Sequence, residues 1–555
     1  MASMITTTKL MGLLQNPVPT SCKILRKDLP SVASRRKSTS TVFLYRPSGI
    51  QTLPVELLTH IFVLGASSDD PYVESPFLLR PDRAYSSPPS SNFQLLLTHV
   101  CHQWREVGLR IPALWATLHF RDKVHIPRAE EYLSRCTQSS SSTLNILIDS
   151  IAAADHIPGV TLHTDEVNTI FRLITPHVRR WRALHLKICD NSCKALARQY
   201  LSTCGPAPNL ETLQLYHFED YRTTQNLYLA TYRPPVVVFD NSLPRLTNVS
   251  LIGVNLPWEK SPYLKGLRNL ELALHPENIR PTYQLWSEIL AQSPDLETLC
   301  LHYSGPKSMG LDEEPAWPSV QQVVSLSKLQ ALTLTDLDPD YISGLLERLR
   351  IPNIRQLTLD LPDQDFSSFL EVLTKSATAV HNSSGELNVN SSLQHLRAIA
   401  VYALECDSES WTRFLKSASN VQLLEVDFSR LPRKLWRAFM DGLSSSSLDS
   451  QGIISPLLPE LQVLKVRGLS REQLYKGPSC GYRETALQYI SSISWIAGKN
   501  EGWKENGVEA DVVDGETRAS GAREIEVSFE ILDQEDDEVD EVGGELVDEL
   551  EENAE

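Results

Sequence analysis

Large aliphatic residues recur along the chain in a six-residue frame, L-x-x-L-x-L, whose last two apolar positions alternate with other residues. Such alternation predicts a short strand, because successive side chains on a strand point to opposite faces. Ten copies of the frame occur beyond residue 180, at a mean interval of about 31 residues. The copies begin at Trp181, Leu210, Leu246, Leu267, Leu296, Leu329, Ile354, Leu396, Val421 and Leu461.

Segments with helical spacing of apolar residues precede several of these frames. Four of them begin at Tyr283, Tyr341, Phe366 and Trp411. Pro or Ser-Asn punctuation then separates each helix from the next strand, an alternation typical of a parallel sheet with an outer layer of helices. Leu144, Ile146 and Ile148 are predicted to begin this sheet. A helix over residues 166–178 is predicted to return the chain to the strand at Trp181.

The pattern therefore predicts an irregular α/β solenoid with a curved parallel sheet over residues 144–500. The interval between copies varies, which excludes a consensus array, whereas a solenoid tolerates insertions because each repeat contacts mainly its neighbours. A closed α/β domain is the alternative. Residues that point away from the buried row are candidates for binding a target protein. These candidates are Tyr216, His302, Thr333, Asp360, Tyr402, Glu425, Asp427 and Arg467.

Residues 53–115 follow a helical spacing instead. Pro54 and Glu56 suit the first turn of a helix, because proline lacks the amide hydrogen that has no partner there and a carboxylate complements the helix dipole. The apolar positions of this first helix are Leu57, Leu58, Ile61 and Phe62. A second helix is predicted from the spacing of Leu97, Val100, Trp104, Val107 and Ile111. Two amphipathic helices of this kind are expected to pack together as a small module.

This module resembles an F-box, the helical module by which substrate receptors dock onto the Skp-family adapter of cullin-based ubiquitin ligases. The matching positions are Leu53, Pro54, Leu57, Leu58, Ile61, Phe62, Val100, Cys101, Trp104, Arg105, Leu114 and Trp115. The sequence departs from a compact F-box between residues 67 and 92, where a segment rich in Ser, Pro and Asp predicts a mobile surface loop, as in F-box-like fungal proteins. An ordinary helical hairpin that caps a larger domain is the alternative.

The resemblance implies a noncatalytic substrate receptor of an SCF-type ubiquitin ligase. The matching positions other than Arg105 are expected to dock the adapter, and through it a cullin. The repeat region, which resembles the degenerate leucine-rich repeats that commonly follow an F-box, is expected to bind an unknown target protein. An adapter-independent leucine-rich-repeat scaffold is the runner-up, and an enzyme of unknown class comes third.

Charge is concentrated at the two ends of the chain. The formal net charge of the chain is -17. Residues 524–555 contain sixteen acidic residues and no Lys or Arg, so the rest of the chain is almost neutral. This composition predicts a disordered acidic tail over 533–555, with recruitment of a basic partner as the alternative. Residues 1–49 carry eight Lys or Arg against one Asp. They are expected to form a disordered basic extension, while a mitochondrial or nuclear signal remains an alternative.

Composition also narrows the function classes. Hydrophobic residues make up 41% of the chain, yet no apolar run is long enough for a membrane span. Nine scattered cysteines are expected to be reduced thiols in the cytoplasm or nucleus, since no zinc-knuckle spacing joins them. A basic stripe interleaved with aromatic residues is missing from the sequence, so nucleic acid is not expected as a partner. No metal or cofactor is predicted.

A hydrolase was considered because residues 477–481 match the pattern G-x-S-x-G. That site requires a histidine after the serine in the chain, and the last histidine is His395. A turn explains the motif better, since Pro478 stands beside it. The remaining boundaries predicted from the sequence are an F-box-like domain over 50–118, a linker over 119–143, and a terminal repeat or linker over 501–532. Alternating residues Ile525, Val527 and Phe529 leave a last strand open.

Overall fold

The computed structural model describes residues 50, 53–67, 75–80, 92–136, 142–217, 236–307, 317, 323–376, 392–444, 457–468 and 526–530. The predicted basic extension, the acidic tail and the turn at 477–481 lie outside these residues. The chain divides into two compact units. The first comprises residues 1–226 and 234–263, and the second comprises 227–233 and 264–555.

The first unit begins with helices. They are α1 (Val55–Ser67), α2 (Phe93–Val100), α3 (His102–Leu109) and a 3-10 helix (Pro112–Trp115). The prediction of a single helix through residues 97–111 is wrong, because Cys101 adopts an extended conformation and separates α2 from α3. The Cys101 sulfur accepts a hydrogen bond from the Trp104 amide at 3.5 Å, so this cysteine caps the third helix.

A parallel sheet follows in the first unit, and each strand pairs with the next along the chain. Its strands are β1 (Thr117–Phe120), β2 (Leu144–Asp149), β3 (Trp181–Ile188), β4 (Thr212–His217) and β5 (Asn248–Ile252). Between them lie α4 (His125–Cys136), α5 (Thr164–Ile174) and α6 (Asn191–Thr203). Further 3-10 helices span Ala153–Asp155, Thr175–Arg180, Phe239–Asn241 and Trp258–Lys260.

The sheet therefore begins with β1, one strand earlier than predicted. The prediction of a linker over 119–143 is wrong for residues 125–136, which form α4. This helix was missed although its apolar residues have helical spacing. Ile126, Ala129, Tyr132 and Leu133 are all buried. The helix predicted over 166–178 is confirmed as α5 together with the 3-10 turns that follow it.

The second unit repeats the alternation of strand and helix. Its main strands are β6 (Asn269–Ala273), β7 (Thr298–His302), β9 (Ala331–Thr335), β11 (Gln356–Asp365), β12 (Ala398–Glu405), β13 (Leu423–Asp427), β14 (Val463–Arg467) and β15 (Glu526–Glu530), all parallel. A separate parallel pair is formed by β8 (Val324–Ser325) and β10 (Leu349–Arg350). The strand left open at the end of the sequence is thus β15.

Five helices accompany these strands. They are α7 (Tyr283–Ala291), α8 (Pro339–Leu346), α9 (Ser367–Ser376), α10 (Ser408–Ser417) and α11 (Arg433–Ser444), with 3-10 turns at Glu277–Ile279 and Ser392–His395. Four of them confirm the predicted helices. Side chains of Thr282, Asp338 and Asp407 accept amide hydrogens in the first turns of α7, α8 and α10, which fixes where those helices start.

The last two apolar positions of all ten L-x-x-L-x-L frames lie on strands, and every apolar position of every frame is buried. The register of the ladders explains why one frame recurs. Leu299, Leu332 and Leu357 are neighbours on adjacent strands, and the next apolar position of each strand forms a second row. Stacked rows of this kind remove each leucine from water against its equivalents in the neighbouring repeats. The α/β class and the parallel sheet predicted from the sequence are confirmed.

Strand ends in the second unit share a backbone feature that the sequence did not indicate. Leu274, Tyr303 and Asp336 each follow a strand with a positive φ, between 44° and 57°. Each donates its amide hydrogen to a carbonyl of the neighbouring strand, at 2.8 to 2.9 Å. Gly468 takes the same place after β14, with φ 74°. The ladder thus extends one residue beyond each strand through the left-handed region, where glycine alone is free of strain.

Candidate interaction surfaces

The predicted adapter-binding residues fall into three groups by exposure. Leu58, Phe62, Leu114 and Trp115 are buried. Leu53, Ile61, Cys101 and Trp104 are half-buried, whereas Pro54, Leu57 and Val100 are exposed. Arg105, which matches the motif but was not predicted to dock the adapter, is exposed as well. The expectation that the four buried residues contact an adapter is not met in this structure, since their side chains have almost no free surface.

Ring packing and close backbone approach hold the three helices together. Phe62 and Trp104 pack with ring centroids 5.0 Å apart, and this pair joins α1 to α3. Two glycines allow close approach, because a Cβ on Gly65 would lie 2.4 Å from the Phe93 ring and one on Gly108 would lie 2.6 Å from Leu97. These positions therefore specify the shape of the module rather than its outer surface.

Trp115 joins the module to the rest of the first unit. Its indole nitrogen donates a hydrogen bond to the Gly108 carbonyl at 3.1 Å. Its ring meets Tyr132 edge-on at 5.0 Å, and the Arg135 guanidinium lies 4.2 Å above it. Both partners belong to α4, the helix that the sequence did not predict. The closing Pro-Ala-Leu-Trp of the F-box-like motif is thus a packing element.

Large aliphatic side chains of α1 and α2 remain exposed on the module. Leu57, Leu64, Leu96 and Val100 are between 45% and 65% exposed, and we refer to these four as the apolar stripe. Leu57 and Leu64 are seven residues apart on α1, and Leu96 and Val100 are four apart on α2, so each pair shares one face of its helix. Leu64 and Leu96 were not among the predicted residues. Large exposed aliphatic side chains of this kind are typical of protein interaction sites.

The predicted target-binding residues of the second unit lie on the side of the strands opposite the buried leucines. His302, Thr333, Asp360, Tyr402, Glu425 and Asp427 are half-buried and Arg467 is exposed. Glu425 on β13 links β12 to β14. It accepts a hydrogen bond from the Tyr402 hydroxyl and forms an ion pair with Arg467, both at 3.2 Å. Asp360 pairs with Arg430 at 2.9 Å. Seven of the eight candidates therefore retain accessible surface.

Tyr216 is the exception and corrects the prediction. It lies on β4 of the first unit and is only 5% exposed. The equivalent face of the first sheet is covered, so an outward strand position there is not a surface position. His119, His185, Gln214 and Ser250 are buried on four different strands of that sheet.

Residues 75–80 cover part of this face. The side-chain oxygen Oε1 of Gln214 accepts hydrogen bonds from the backbone amides of Leu78 and Leu79 at 3.0 and 2.9 Å. The side-chain nitrogen Nε2 of Gln214 donates to the Leu79 carbonyl at 2.8 Å. Leu79 has no exposed surface. The segment 67–92 was predicted to be a surface loop, and this part of it is instead packed against the sheet. Buried leucine and satisfied backbone groups explain the difference.

Two histidines of the covered face are neutral at physiological pH. Burial lowers the pKa of His185 from 6.5 to about 4. Burial, together with the Arg121 guanidinium, lowers the pKa of His119 to about 3. His185 hydrogen-bonds Gln214 at 2.9 Å, and the Gln214 amide nitrogen in turn contacts the Ser250 hydroxyl at 3.1 Å. His185, Gln214 and Ser250 therefore form a linked polar row in which the histidine is uncharged.

His163, Asp190 and Cys193 form a second polar cluster, with potential metal-ligand atoms all within 4.8 Å of one another. Sequence spacing did not reveal it. Helix capping accounts for the group, because Asp190 accepts the Cys193 amide at 2.8 Å and the His163 ring nitrogen at 2.5 Å. A metal ion would have to displace these hydrogen bonds at the positive ends of α5 and α6. We assign the cluster to capping.

The seven cysteines among the described residues form no disulfides with one another. Burial raises the pKa of the Cys136, Cys189 and Cys204 thiols to about 11 and of Cys193 and Cys406 to about 12. These thiols are protonated at neutral pH and are poor nucleophiles.

The chain was compared with protein-family models and with curated proteins. Neither the family models nor the curated proteins include a match to this chain. Within the residues that the structure describes, none of the helices has the length and hydropathy needed to cross a bilayer.

Proposed function

We propose that the protein is a noncatalytic substrate-recognition subunit of an SCF-type ubiquitin ligase. The helical module docks a Skp-family adapter, and the second unit holds a target protein. Proximity then promotes ubiquitin transfer, because holding two reactants together raises their effective concentration. No residue of this chain has to contact the reacting bond.

The observation that carries the proposal is the apolar stripe of Leu57, Leu64, Leu96 and Val100. These side chains stay exposed although the module has a buried interior centred on Phe62 and Trp104. Leaving four aliphatic side chains in water forgoes about 1.5 kcal/mol or more for each one that could be buried. A partner that covers the stripe recovers this free energy. Such a partner is the adapter that the F-box-like motif implies.

The open strand face of the second unit supports target binding. Its side chains combine carboxylate, phenol, imidazole and guanidinium groups that keep accessible surface, as at Asp427 and Arg467. A face of mixed polarity on a rigid parallel sheet suits protein recognition, since hydrogen bonds and ion pairs set specificity while the sheet fixes their positions.

Co-expression with a Skp-family adapter tests the proposal. The full chain is expected to elute with the adapter as a stoichiometric complex in gel filtration. The Leu57→Asp, Leu96→Asp double variant is expected to lose that complex while keeping the wild-type circular dichroism spectrum, because both side chains lie outside the packed interior.

Val124→Asp is the matched control. Val124 is 67% exposed in the same unit but lies outside the stripe, so its change to aspartate should leave the complex intact. Absence of a complex with folded wild-type protein contradicts the adapter mechanism. The remaining explanation is then the adapter-independent scaffold, in which α1 to α3 cap the first unit through Trp115 and Tyr132.

A further inference from the structure

The contact between residues 75–80 and the first sheet has the geometry of a bound peptide. The side-chain amide of Gln214 makes three hydrogen bonds of 2.8 to 3.0 Å, to the backbone N–H groups of Leu78 and Leu79 and to the Leu79 carbonyl. The two partners are 135 residues apart in the chain. Recognition of a backbone by an amide, with one side chain buried beside it, is independent of most of the peptide sequence.

The surface beneath the segment is polar. His185, Gln214 and Ser250 have no exposed surface, yet all carry hydrogen-bonding groups. Water can replace the segment as their partner when they are uncovered, because the cost of exposing polar groups is small compared with that of exposing a hydrophobic core. This property distinguishes the covered face from the leucine rows on the other side of the sheet.

Only one side chain of the segment is deeply anchored. Leu79 is fully buried, whereas Ser75, Phe77 and Leu78 are half-buried and Arg80 is exposed. A segment held by one leucine and three hydrogen bonds can leave without unfolding the sheet, since the strands keep their own ladders and leucine rows.

We propose that this face of the first unit is a binding groove for extended peptide segments that carry a leucine, and that residues 75–80 occupy it as an internal strap. A partner segment of the same chemistry has to displace the strap before it binds. The inference rests on the geometry of the first unit and does not depend on the adapter or on the proposed ligase function.

Release of the strap in the full chain tests the groove. Leu79→Asp places a carboxylate in the buried site and is expected to free the groove. A fluorescent synthetic peptide with the sequence of residues 73–82 should then bind the variant at least tenfold more tightly than it binds wild type, whose groove is already filled by a tethered competitor. The same peptide carrying the Leu79→Asp change is the control and should not bind.

Gln214 tests the mode of recognition. Adding Gln214→Ala to the Leu79→Asp chain removes the hydrogen bonds to the peptide backbone and should weaken binding about tenfold or more. Equal affinity with and without Gln214 would overturn the assigned contact. Failure of the peptide to bind a Leu79→Asp chain that keeps a wild-type circular dichroism spectrum would overturn the groove itself.

Hydrogen exchange on the wild-type protein decides the matter even if the variant does not fold. The amides of Leu78 and Leu79 should exchange at least a hundredfold faster than the amides of β3 and β4, because the strap opens locally while the sheet stays closed. Exchange of both groups at the same rate would show that residues 75–80 are part of the sheet's core and would refute a displaceable strap.

Discussion

The strands of the two units share one apolar frame, but the polar side of that frame is covered in the first unit and accessible in the second. In the first unit the polar side is covered, and Gln214 at its centre is fully buried beneath residues 75–80. In the second unit the corresponding side keeps accessible surface, and Glu425 stands in a network of exposed cations. The leucine rows are buried in both. What differs is the second covering layer, and this layer decides whether a polar side chain already has a partner within the chain or is accessible to another molecule.

Two predictions share the largest expected effect, and the first concerns glutamine. Gln214→Ala should reduce the free energy of unfolding by about 2 to 3 kcal/mol, because it removes the partners of three backbone groups beside Leu79 and of two polar side chains. Gln356→Ala, the same change at an exposed position of β11, should cost no more than about 0.5 kcal/mol. Urea denaturation of both variants measures the difference. Equal costs would mean that the covered row contributes nothing beyond an exposed one.

Acid should weaken the covered face next. His185 has a pKa of about 4 in the folded protein and near 6.5 when unfolded, so the unfolded chain binds the extra proton between these values. The contribution is fully present above pH 6.5 and is lost as pH falls towards 4, by an amount on the order of 3 kcal/mol.

His185→Gln should remove this part of the acid sensitivity and leave the part that comes from His119, measured by urea denaturation at pH 7, 6, 5 and 4.5. His302→Gln, which alters a half-buried histidine of the second unit, is the control and should retain the wild-type acid sensitivity. Identical profiles for wild type and His185→Gln would contradict a neutral, buried His185.

Removal of a hydroxyl should have a smaller effect. Ser250→Ala deletes the group that contacts the Gln214 amide nitrogen at 3.1 Å and should cost about 1 kcal/mol. Thr358→Val deletes a hydroxyl on the accessible side of β11 while keeping the side chain's shape, and should change stability by less than about 0.5 kcal/mol. Thermal denaturation of the two variants provides the comparison, and a reversed order would contradict it.

The smallest effect is expected in the open network. Glu425→Gln removes the charge paired with Arg467 but keeps an oxygen for the Tyr402 hydroxyl. Because Arg467 is exposed to solvent, the free energy of unfolding should change by less than about 1 kcal/mol, and the difference should shrink further as salt is added. A loss of several kcal/mol that resists salt would show that this face is also a structural interior.

Much of the fold could be predicted from the sequence because it depends on the spacing of apolar residues within each helix or strand. The apolar frame placed ten strands, and the segments at Tyr283, Tyr341 and Trp411 predicted helices that the structure confirms. Capping residues such as Asp338 are local signals as well. The break at Cys101 was missed because the apolar spacing of Val100 and Trp104 continues across it, and only the backbone conformation separates the two helices.

The candidate surfaces were less predictable because exposure depends on distant parts of the chain. Phe62 and Trp104 share the motif with Leu57, yet ring packing turns the first two inwards. Leu64 and Leu96 carry no motif and still lie on the exposed stripe. Tyr216 satisfies the same strand rule as His302, but it belongs to the covered sheet.

The sequence by itself determined most of the strands, several helices, the α/β class and the leucine rows, since each of these follows from apolar spacing within a few residues. The tertiary structure alone decided which polar rows face water. That choice rests on a hydrogen-bonded contact between Leu79 and Gln214, which are far apart in the chain and carry no shared pattern. Burial of a polar side chain requires a partner, and the identity of that partner is a property of the folded chain.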